Sequence, residues 1–130
     1  MPTILLIEDD LAVRRVLRHI LLSQGHSVIE AGSAPEAMRA SAGCLDPIDL
    51  AITDVVMPRT NCNSLIAELK SARPNLKVVL ISGYAEDILS QYGIDAGSNF
   101  LKKPFTAEQL GAKIQETLGI EKLRCFRQAG

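Results

Sequence analysis

The chain has 130 residues, an apolar fraction of 47% and a formal net charge of −1, values that argue against a disordered chain and predict one globular domain. A charge this close to neutral gives no general attraction to nucleic acid or to anionic membranes. The start of the chain lacks a basic segment, and acid interrupts its apolar run, so we predict neither a signal peptide nor a membrane span. Three widely spaced cysteines, Cys44, Cys62 and Cys125, form no disulfide or zinc motif and indicate a cytoplasmic protein.

The first segment is an apolar run over residues 3–7, which predicts a strand and ends in the acidic triplet Glu8-Asp9-Asp10. The next apolar residues recur at helical spacing and predict a helix with Asp10 as its N-cap and Gly25 after its end. The predicted inward face carries Val13, Val16, Leu17, Ile20 and Leu21, and the outward face carries Arg14, Arg15, Arg18 and His19.

The middle of the chain repeats this alternation of strand and helix. Residues 26–31 predict a second strand. The capping box Ser33-Ala34-Pro35-Glu36 starts a second helix, whose helical pattern weakens at Gly43. Residues 48–53 predict a third strand, which ends abruptly at Asp54. A third helix follows and stops before Pro74.

The last part of the chain adds two more units. Residues 77–82 predict a fourth strand that ends in Ser82, and residues 86–92 predict a short helix. Residues 99–103 predict a short strand that ends in Lys103, and a second capping box at residues 106–109 starts a helix that ends at Gly119. We therefore predict one domain over residues 1–119 and a tail over residues 120–130.

Five alternations of strand and helix predict an α/β fold, a doubly wound five-stranded parallel sheet with helices on both faces. In such a sheet all strands end at one edge, where ligands bind. The residues that end or follow these strands are polar: Glu8, Asp9, Asp54, Ser82 and Lys103. The fold would thus gather three carboxylates, a hydroxyl and an amine at one edge.

Clustered carboxylates repel each other unless a cation compensates their charge, and Mg²⁺ prefers such hard oxygen ligands. A carboxylate at a strand end can also act as a nucleophile and form an acyl-phosphate, so Asp54 is the candidate acceptor. Lys103 would neutralise phosphoryl charge and Ser82 would donate a hydrogen bond. Each residue alone also has a purely structural interpretation, such as a helix cap for Asp9 or Asp10, and only the joint placement favours a site.

Four motifs together resemble the response-regulator receiver domain of two-component signalling. They are the acidic pair after the first strand, the segment Asp54-Val55-Val56-Met57-Pro58, the triplet Ser82-Gly83-Tyr84, and Lys103-Pro104-Phe105. The match covers residues 3–118 in order. The resemblance implies a (βα)₅, flavodoxin-like sheet with strand order 2-1-3-4-5. It also implies transfer of a phosphoryl group from a phosphohistidine onto aspartate, with Mg²⁺ as cofactor.

The resemblance implies a role for each matching residue. Asp54 is the phosphoacceptor, and the metal ligands are Glu8, Asp9, Asp54 and the backbone carbonyl of Val56. Ser82 and Lys103 contact the phosphoryl group, and Ser82 and Phe100 act as the switch. The Lys103–Pro104 peptide bond is cis in the family.

The resemblance also implies partners. A histidine kinase or a phosphotransfer protein donates the phosphoryl group, and a downstream protein binds the face formed by the fourth helix, the fifth strand and the fifth helix. We expect a monomer or weak dimer that binds neither nucleic acid nor membrane and catalyses only its own phosphorylation and dephosphorylation. Three segments are similar to receivers at the C-terminus of hybrid histidine kinases, so the parent chain could be a kinase. They are the opening 4–10, the triplet Ser82-Gly83-Tyr84 and the segment 100–105.

One position departs from the family pattern, because Cys62 stands where receivers usually have a loop glycine. Cysteine resists the positive φ that glycine adopts, so either Asn61 or Asn63 takes the turn conformation or the loop is displaced. This departure keeps open a pseudo-receiver that only binds proteins. A Mg²⁺-dependent phosphohydrolase is a further alternative, although Val56 stands where such enzymes place a second acid.

Overall fold

The structure is a computed structural model that describes residues 2–55, 62–83 and 100–119. The strands in this part of the chain are β1 (Thr3–Ile7), β2 (Ser27–Ala31), β3 (Leu50–Asp54), β4 (Lys77–Ser82) and β5 (Phe100–Lys102). The helices are α1 (Leu11–Ser23), α2 (Ala34–Gly43), α3 (Cys62–Ala72) and α4 (Ala107–Leu118). The helix predicted over 86–92 and the tail 120–130 lie outside the described residues.

The five strands form one parallel sheet in the order β2-β1-β3-β4-β5. This order confirms the predicted doubly wound fold with strand order 2-1-3-4-5. Because all strands run in the same direction, their carboxyl ends share one edge of the sheet. None of the helices in the described ranges has the length and apolar character needed to cross a membrane.

Successive residues of β1 face opposite core layers. Leu5 and Ile7 belong to the layer under α2 and α3, whereas Ile4 and Leu6 belong to the layer under α1 and α4. The first layer also contains Ala37, Leu65 and Leu69, and the second contains Leu17, Leu21, Leu110 and Ile114. A strand covered on both faces reads as a continuous apolar run, which is why β1 and β3 were visible in the sequence.

Helix α1 begins and ends as predicted. The Asp10 carboxylate accepts the N–H groups of Ala12 and Val13 at 3.0 and 3.3 Å, and Gly25 after the helix has a φ of 91°. The prediction that Val16 faces inward is wrong, because 59% of this residue is exposed. Helical spacing marks the apolar stripe of α1, but the neighbouring elements cover only the centre of that stripe.

The two predicted capping boxes differ. At α4, Thr106 and Gln109 exchange both hydrogen bonds, with distances of 3.0 and 2.8 Å. At α2, Ser33 accepts the Glu36 N–H at 3.2 Å, but the Glu36 carboxylate accepts the N–H of Gly32 instead of that of Ser33. The carboxylate of Glu36 in α2 therefore bonds to the loop after β2 one residue earlier than a capping box predicts.

Several strand boundaries depart from the sequence expectation by one or two residues. Strand β2 begins at Ser27 rather than at residue 26, and β5 ends at Lys102 rather than at residue 103. Strand β3 begins at Leu50 rather than Ile48, and the Asp49 carboxylate just before it accepts the Thr3 N–H at 2.8 Å. Helix α3 begins at Cys62, so Asn63 is helical and does not supply the turn conformation that the missing loop glycine would require. Asn61 lies outside the described residues.

Arg73 lies at the opposite edge of the sheet from the strand ends, between α3 and β4. Its guanidinium donates to the Ser41 hydroxyl at 2.9 Å and to the Ser41 and Cys44 carbonyls, both at 2.8 Å. It also donates to the Asp46 carbonyl at 3.2 Å. These contacts add donors to the Ser41 carbonyl, which also accepts the Cys44 N–H at 3.3 Å, and to two carbonyls beyond the end of α2. We call this group the Arg73 clamp.

Candidate functional site

Two carboxylates meet because β1 and β3 are neighbours in the sheet. Ile7 lies opposite Thr53 in the register of this pair, so Glu8 and Asp54 follow side by side at the carboxyl edge. Both are buried, with 1% of Glu8 and 7% of Asp54 exposed. The convergence that the sequence predicted from strand ends is therefore present for these two acids.

Lys103 reaches the same point from the far end of the sequence. Strand β5 places Lys102 opposite Ser82, and the Lys103 N–H donates to the Ser82 carbonyl at 2.7 Å. The Lys103 Nζ lies 2.8 Å from Asp54 Oδ2 and 3.4 Å from Glu8 Oε1. The Lys103–Pro104 peptide bond that follows is cis. One amine thus faces two buried carboxylates.

Asp9 completes a group of three acids. One carboxylate oxygen from each of Glu8, Asp9 and Asp54 lies within 4.8 Å of the others, and we call these residues the acidic cluster. Asp9 is exposed while the other two are buried, so the cluster opens to solvent on one side. A compact set of hard oxygen donors with an open side fits a divalent cation that keeps part of its water shell.

The electrostatics of the site support the same fit. Burial is the main cause that raises the pKa of the Glu8 carboxyl to about 7. The hydrogen bond from the Asp10 N–H lowers this pKa, and the neighbouring Asp54 raises it further. Burial alone would lower the pKa of Lys103, but its hydrogen bond to Asp54 and the charges of both acids raise that pKa. A single amine therefore leaves negative charge in excess, which a cation would compensate.

Asp10 does not belong to this cluster. Its carboxylate caps α1, and its N–H donates to Glu8 Oε2 at 3.1 Å. The sequence assigned Asp10 to the helix cap, and the structure confirms that interpretation.

The other predicted site residues have different standing. Ser82 ends β4 and is fully buried, one residue beyond Ile81, which lies opposite Asp54. Phe100 is half-buried and packs against the core layer under α2 and α3. Val56, the predicted carbonyl ligand, lies outside the described residues. The structure brings Glu8, Asp9, Asp54 and Lys103 together, while the functional roles of Ser82, Phe100 and Val56 stay predictions.

Sequence reasoning missed Arg14, which it assigned to the outward face of α1. Its Nη1 donates to the Glu8 carbonyl at 3.1 Å, and its Nε lies 3.3 Å from Glu30 Oε1. Only 19% of the side chain is exposed. Glu30 could have indicated this contact, because it interrupts the apolar run of the second strand and could pair with a basic residue of the first helix.

An apolar groove of about 400 Å³ lies beside the acidic cluster. Val13, Val16 and Ile20 of α1 form one wall, and Pro104 and Phe105 form part of the other. Lys103 also lines the groove, so its apolar surface continues to the amine that contacts Asp54.

Comparison with known proteins gives consistent results. The family model described as the response regulator receiver domain matches residues 4–115. The sensor kinase CckA of Brucella abortus (strain 2308) is 38% identical over 117 residues, which cover 89% of this chain and 12% of that protein. Curated relatives are longer: the chain spans 12% and 24% of the first two.

Solved structures share the fold over nearly their whole length. The receiver domain from the hybrid histidine kinase CckA has a TM-score of 0.73 at 30% identity, covering 89% of this chain and 98% of that one. A response regulator receiver domain protein from Clostridium thermocellum has a TM-score of 0.78 at 27% identity, with 95% and 98% covered.

Proposed function

Because the chain belongs to the response regulator receiver domain family, a group of signalling modules, we propose that Asp54 is its phosphoacceptor. The contact of 2.8 Å between Lys103 Nζ and Asp54 Oδ2, inside the acidic cluster, is the observation that supports this assignment best. Glu8, Asp9 and Asp54 would hold Mg²⁺ together with the Val56 carbonyl. Bound Mg²⁺ supplies positive charge that offsets the charge of the phosphoryl oxygens.

The chemistry requires a carboxylate nucleophile, with positioning and charge neutralisation from the rest of the site. An Asp54 oxygen forms a bond to phosphorus while the bond from phosphorus to the donor's imidazole nitrogen breaks, and the electron pair stays on that nitrogen. Lys103, whose Nζ lies 2.8 Å from Asp54 Oδ2, would pair with phosphoryl oxygens, and Ser82 would donate a hydrogen bond to one of them. We expect the domain to catalyse its own phosphorylation in this way. We also expect it to catalyse its own dephosphorylation, in which water attacks phosphorus, the bond to the Asp54 oxygen breaks and inorganic phosphate leaves.

Phosphorylation would act as a local charge switch. It adds a charge of about −2 and new acceptor oxygens at Asp54. Ser82 and Phe100 would shift in response, and the face formed by β5, α4 and the helix predicted over 86–92 would change its affinity for a downstream protein.

The phosphodonor must reach Asp54, so the protein that carries it has to cover the surface beside the acidic cluster. The groove between α1 and Pro104-Phe105 meets this requirement, because it is apolar and continuous with Lys103. Val16, which is 59% exposed, and Leu11, which is 48% exposed, lie on the same helix. We expect a histidine kinase or phosphotransfer protein to place an apolar helix surface here.

The longer relatives support a wider context for this unit. The likeness to CckA favours the receiver of a hybrid histidine kinase in a cytoplasmic phosphorelay. Within the chain, residues 1–119 would form the receiver, and residues 120–130 would form a tail. We expect the unit to act as a monomer or weak dimer through protein contacts.

The test is intact-mass analysis after incubation with acetyl phosphate, with and without Mg²⁺. We expect one phosphoryl adduct that requires Mg²⁺ and is absent in Asp54→Ala. Asp10→Asn is the matched control, because asparagine also caps a helix and Asp10 lies outside the acidic cluster, so this variant should still form the adduct. An adduct that survives Asp54→Ala would contradict the assignment, and no adduct at all would favour the pseudo-receiver.

A further inference from the structure

The Arg14 side chain, of which 19% is exposed, contacts strand β2 and the loop after β1. Its Nε lies 3.3 Å from Glu30 Oε1 on β2, and its Nη1 donates to the Glu8 carbonyl at 3.1 Å. Arg14 thus links α1 both to β2 and to the loop after β1 that carries Glu8 and Asp9. The guanidinium holds a backbone oxygen of that loop and not a carboxylate of the acidic cluster.

Gly32 leaves the space that this guanidinium occupies. A Cβ on Gly32 would lie 2.5 Å from Arg14 Nη1 and 3.2 Å from Glu36 Oε1, and the first distance is too short for any real contact. Positive φ is found at Gly25 and Gly119 but not at Gly32 among the described glycines, so space and not backbone conformation explains glycine at this position. A side chain at residue 32 would therefore displace Arg14.

The Glu8 carbonyl is the part of this loop that Arg14 controls. The Glu8 N–H donates to the Ala31 carbonyl at 3.0 Å, and the Glu8 carboxylate accepts the Asp10 N–H at 3.1 Å. These bonds fix the Glu8 N–H and the Glu8 carboxylate. They do not fix the orientation of the peptide unit between Glu8 and Asp9. Because a peptide unit is planar, fixing the Glu8 oxygen also fixes the direction in which Asp9 leaves the strand.

We propose that Arg14 is a positioning residue for the acidic cluster: it orients the Glu8–Asp9 peptide so that Asp9 joins the cation site. Glycine at residue 32 leaves the space that the Arg14 guanidinium needs for this contact. The inference rests on the proposed function only in taking Mg²⁺ as the cation. Groups that orient metal ligands without binding the metal commonly change affinity by tenfold or more when they are removed.

The sign of the effect separates positioning from simple electrostatics. Arg14 carries a positive charge near the cation site, so loss of that charge alone would tighten Mg²⁺ binding. Loss of the carbonyl contact would weaken binding, because Asp9 would no longer be held in the cluster. Weaker binding in Arg14→Ala therefore supports positioning, and tighter binding contradicts it.

The experiment is calorimetric titration of the whole chain with Mg²⁺ alone. We expect Kd to rise about tenfold in Arg14→Ala and in Gly32→Ala. Arg18→Ala is the matched control: Arg18 Nε lies 3.0 Å from the same Glu30, but within the described residues its side chain makes no hydrogen bond or ion pair with Glu8. Its Kd should stay within about twofold of the wild type, since a half-exposed charge has little effect.

The double variant Arg14→Ala/Gly32→Ala tests whether the two residues act through one contact. Once the guanidinium is absent, a Cβ at residue 32 displaces nothing that matters to Mg²⁺, so the double variant should bind no more weakly than Arg14→Ala. Additive losses would overturn the assignment of Gly32. Arg14→Lys keeps the charge and should still bind weakly, because an ammonium cannot bridge Glu30 and the Glu8 carbonyl as a guanidinium does.

Labelling with acetyl phosphate provides a second measurement. The Mg²⁺ concentration for half-maximal labelling should rise about tenfold in Arg14→Ala, with the rate at saturating Mg²⁺ unchanged. If the wild type binds Mg²⁺ but takes no phosphoryl group, the proposed function fails while the calorimetric comparison still tests Arg14. Equal or lower Kd in Arg14→Ala and Gly32→Ala, with normal labelling, would overturn the inference alone. A wild type that does not bind Mg²⁺ would overturn both.

Discussion

The Arg73 clamp and the acidic cluster lie at opposite edges of one sheet, and they differ in the partners that surround their charges. The cation of Arg73 faces neutral acceptors, the Ser41 hydroxyl and the carbonyls of Ser41, Cys44 and Asp46. The acidic cluster instead collects like charges, and one amine, Lys103, faces Glu8 and Asp54. The charge of Arg73 is satisfied within the fold, whereas the strand-end edge keeps an excess of carboxylates over amines that a bound cation would compensate.

Replacement of Arg73 should have the largest effect on stability. Arg73→Ala removes the guanidinium donors of the Ser41, Cys44 and Asp46 carbonyls, of which the Ser41 carbonyl keeps the Cys44 N–H. We expect a loss of about 3 kcal/mol in the free energy of unfolding. Urea denaturation followed by circular dichroism measures this loss. Arg73→Lys should lose less, because lysine keeps one donor near these oxygens. Mg²⁺ affinity unchanged in both variants would confirm that the two edges are independent, and a weaker affinity would break the comparison.

The pH dependence of stability should report the excess charge in the acidic cluster. The pKa of Glu8 rises from its ordinary value of 4.5 to about 7 on folding, so the folded chain keeps a proton that the unfolded chain has released. This contribution is fully present below pH 4.5 and is lost as pH rises through 7. Without metal, we expect the free energy of unfolding to fall by about 2 kcal/mol between pH 5 and pH 7.

Glu8→Gln is the control for this pH dependence, because glutamine does not titrate and should flatten the curve over that range. Mg²⁺ should oppose the loss, since it binds the deprotonated carboxylates, so its stabilising effect should be larger at pH 8 than at pH 5. A metal-free protein that becomes more stable between pH 5 and pH 7 would contradict a raised Glu8 pKa.

Removal of one acid from the cluster should have the smallest effect and the opposite sign to Arg73→Ala. Asp54→Asn leaves Glu8 paired with Lys103 without a second carboxylate, and we expect a gain of about 1 kcal/mol at pH 7.5 in the absence of metal. Thermal and urea denaturation would measure it. Asp10→Asn, which keeps its helix cap, should change stability by less. A clear loss in Asp54→Asn would mean that this edge is not strained by its charge.

Much of the fold and the centre of the site could be predicted from the sequence. Strands buried on both faces read as apolar runs, and the resemblance gave their order, which the structure confirms. Once all strands are parallel, the residues that end them share an edge of the sheet. The strand order that the resemblance implies then brings Glu8, Asp54 and Lys103 together at that edge. The cap at Asp10 is local and was predictable from the pattern around it.

The remaining features depended on which elements become neighbours. Helical spacing separates the core face of α1 from the rest, but it cannot tell that Arg14 points toward β2 and the Glu8 carbonyl. It also cannot tell that Val16, on the apolar stripe, lies beside a groove. The Glu36 carboxylate reaches Gly32 for a similar reason, because the loop after β2 and not the helix itself determines the nearest donor.

The separation between Glu8 and Lys103, 95 positions along the chain, has a consequence during synthesis. A ribosome releases the acids of β1 and β3 well before the lysine that follows β5, and β5 itself pairs only with β4 among the described strands. The ion pairs of Glu8 and Asp54 with Lys103 can therefore form only after the last strand has been synthesised. The ability to take a phosphoryl group should emerge only when translation of the domain is nearly finished.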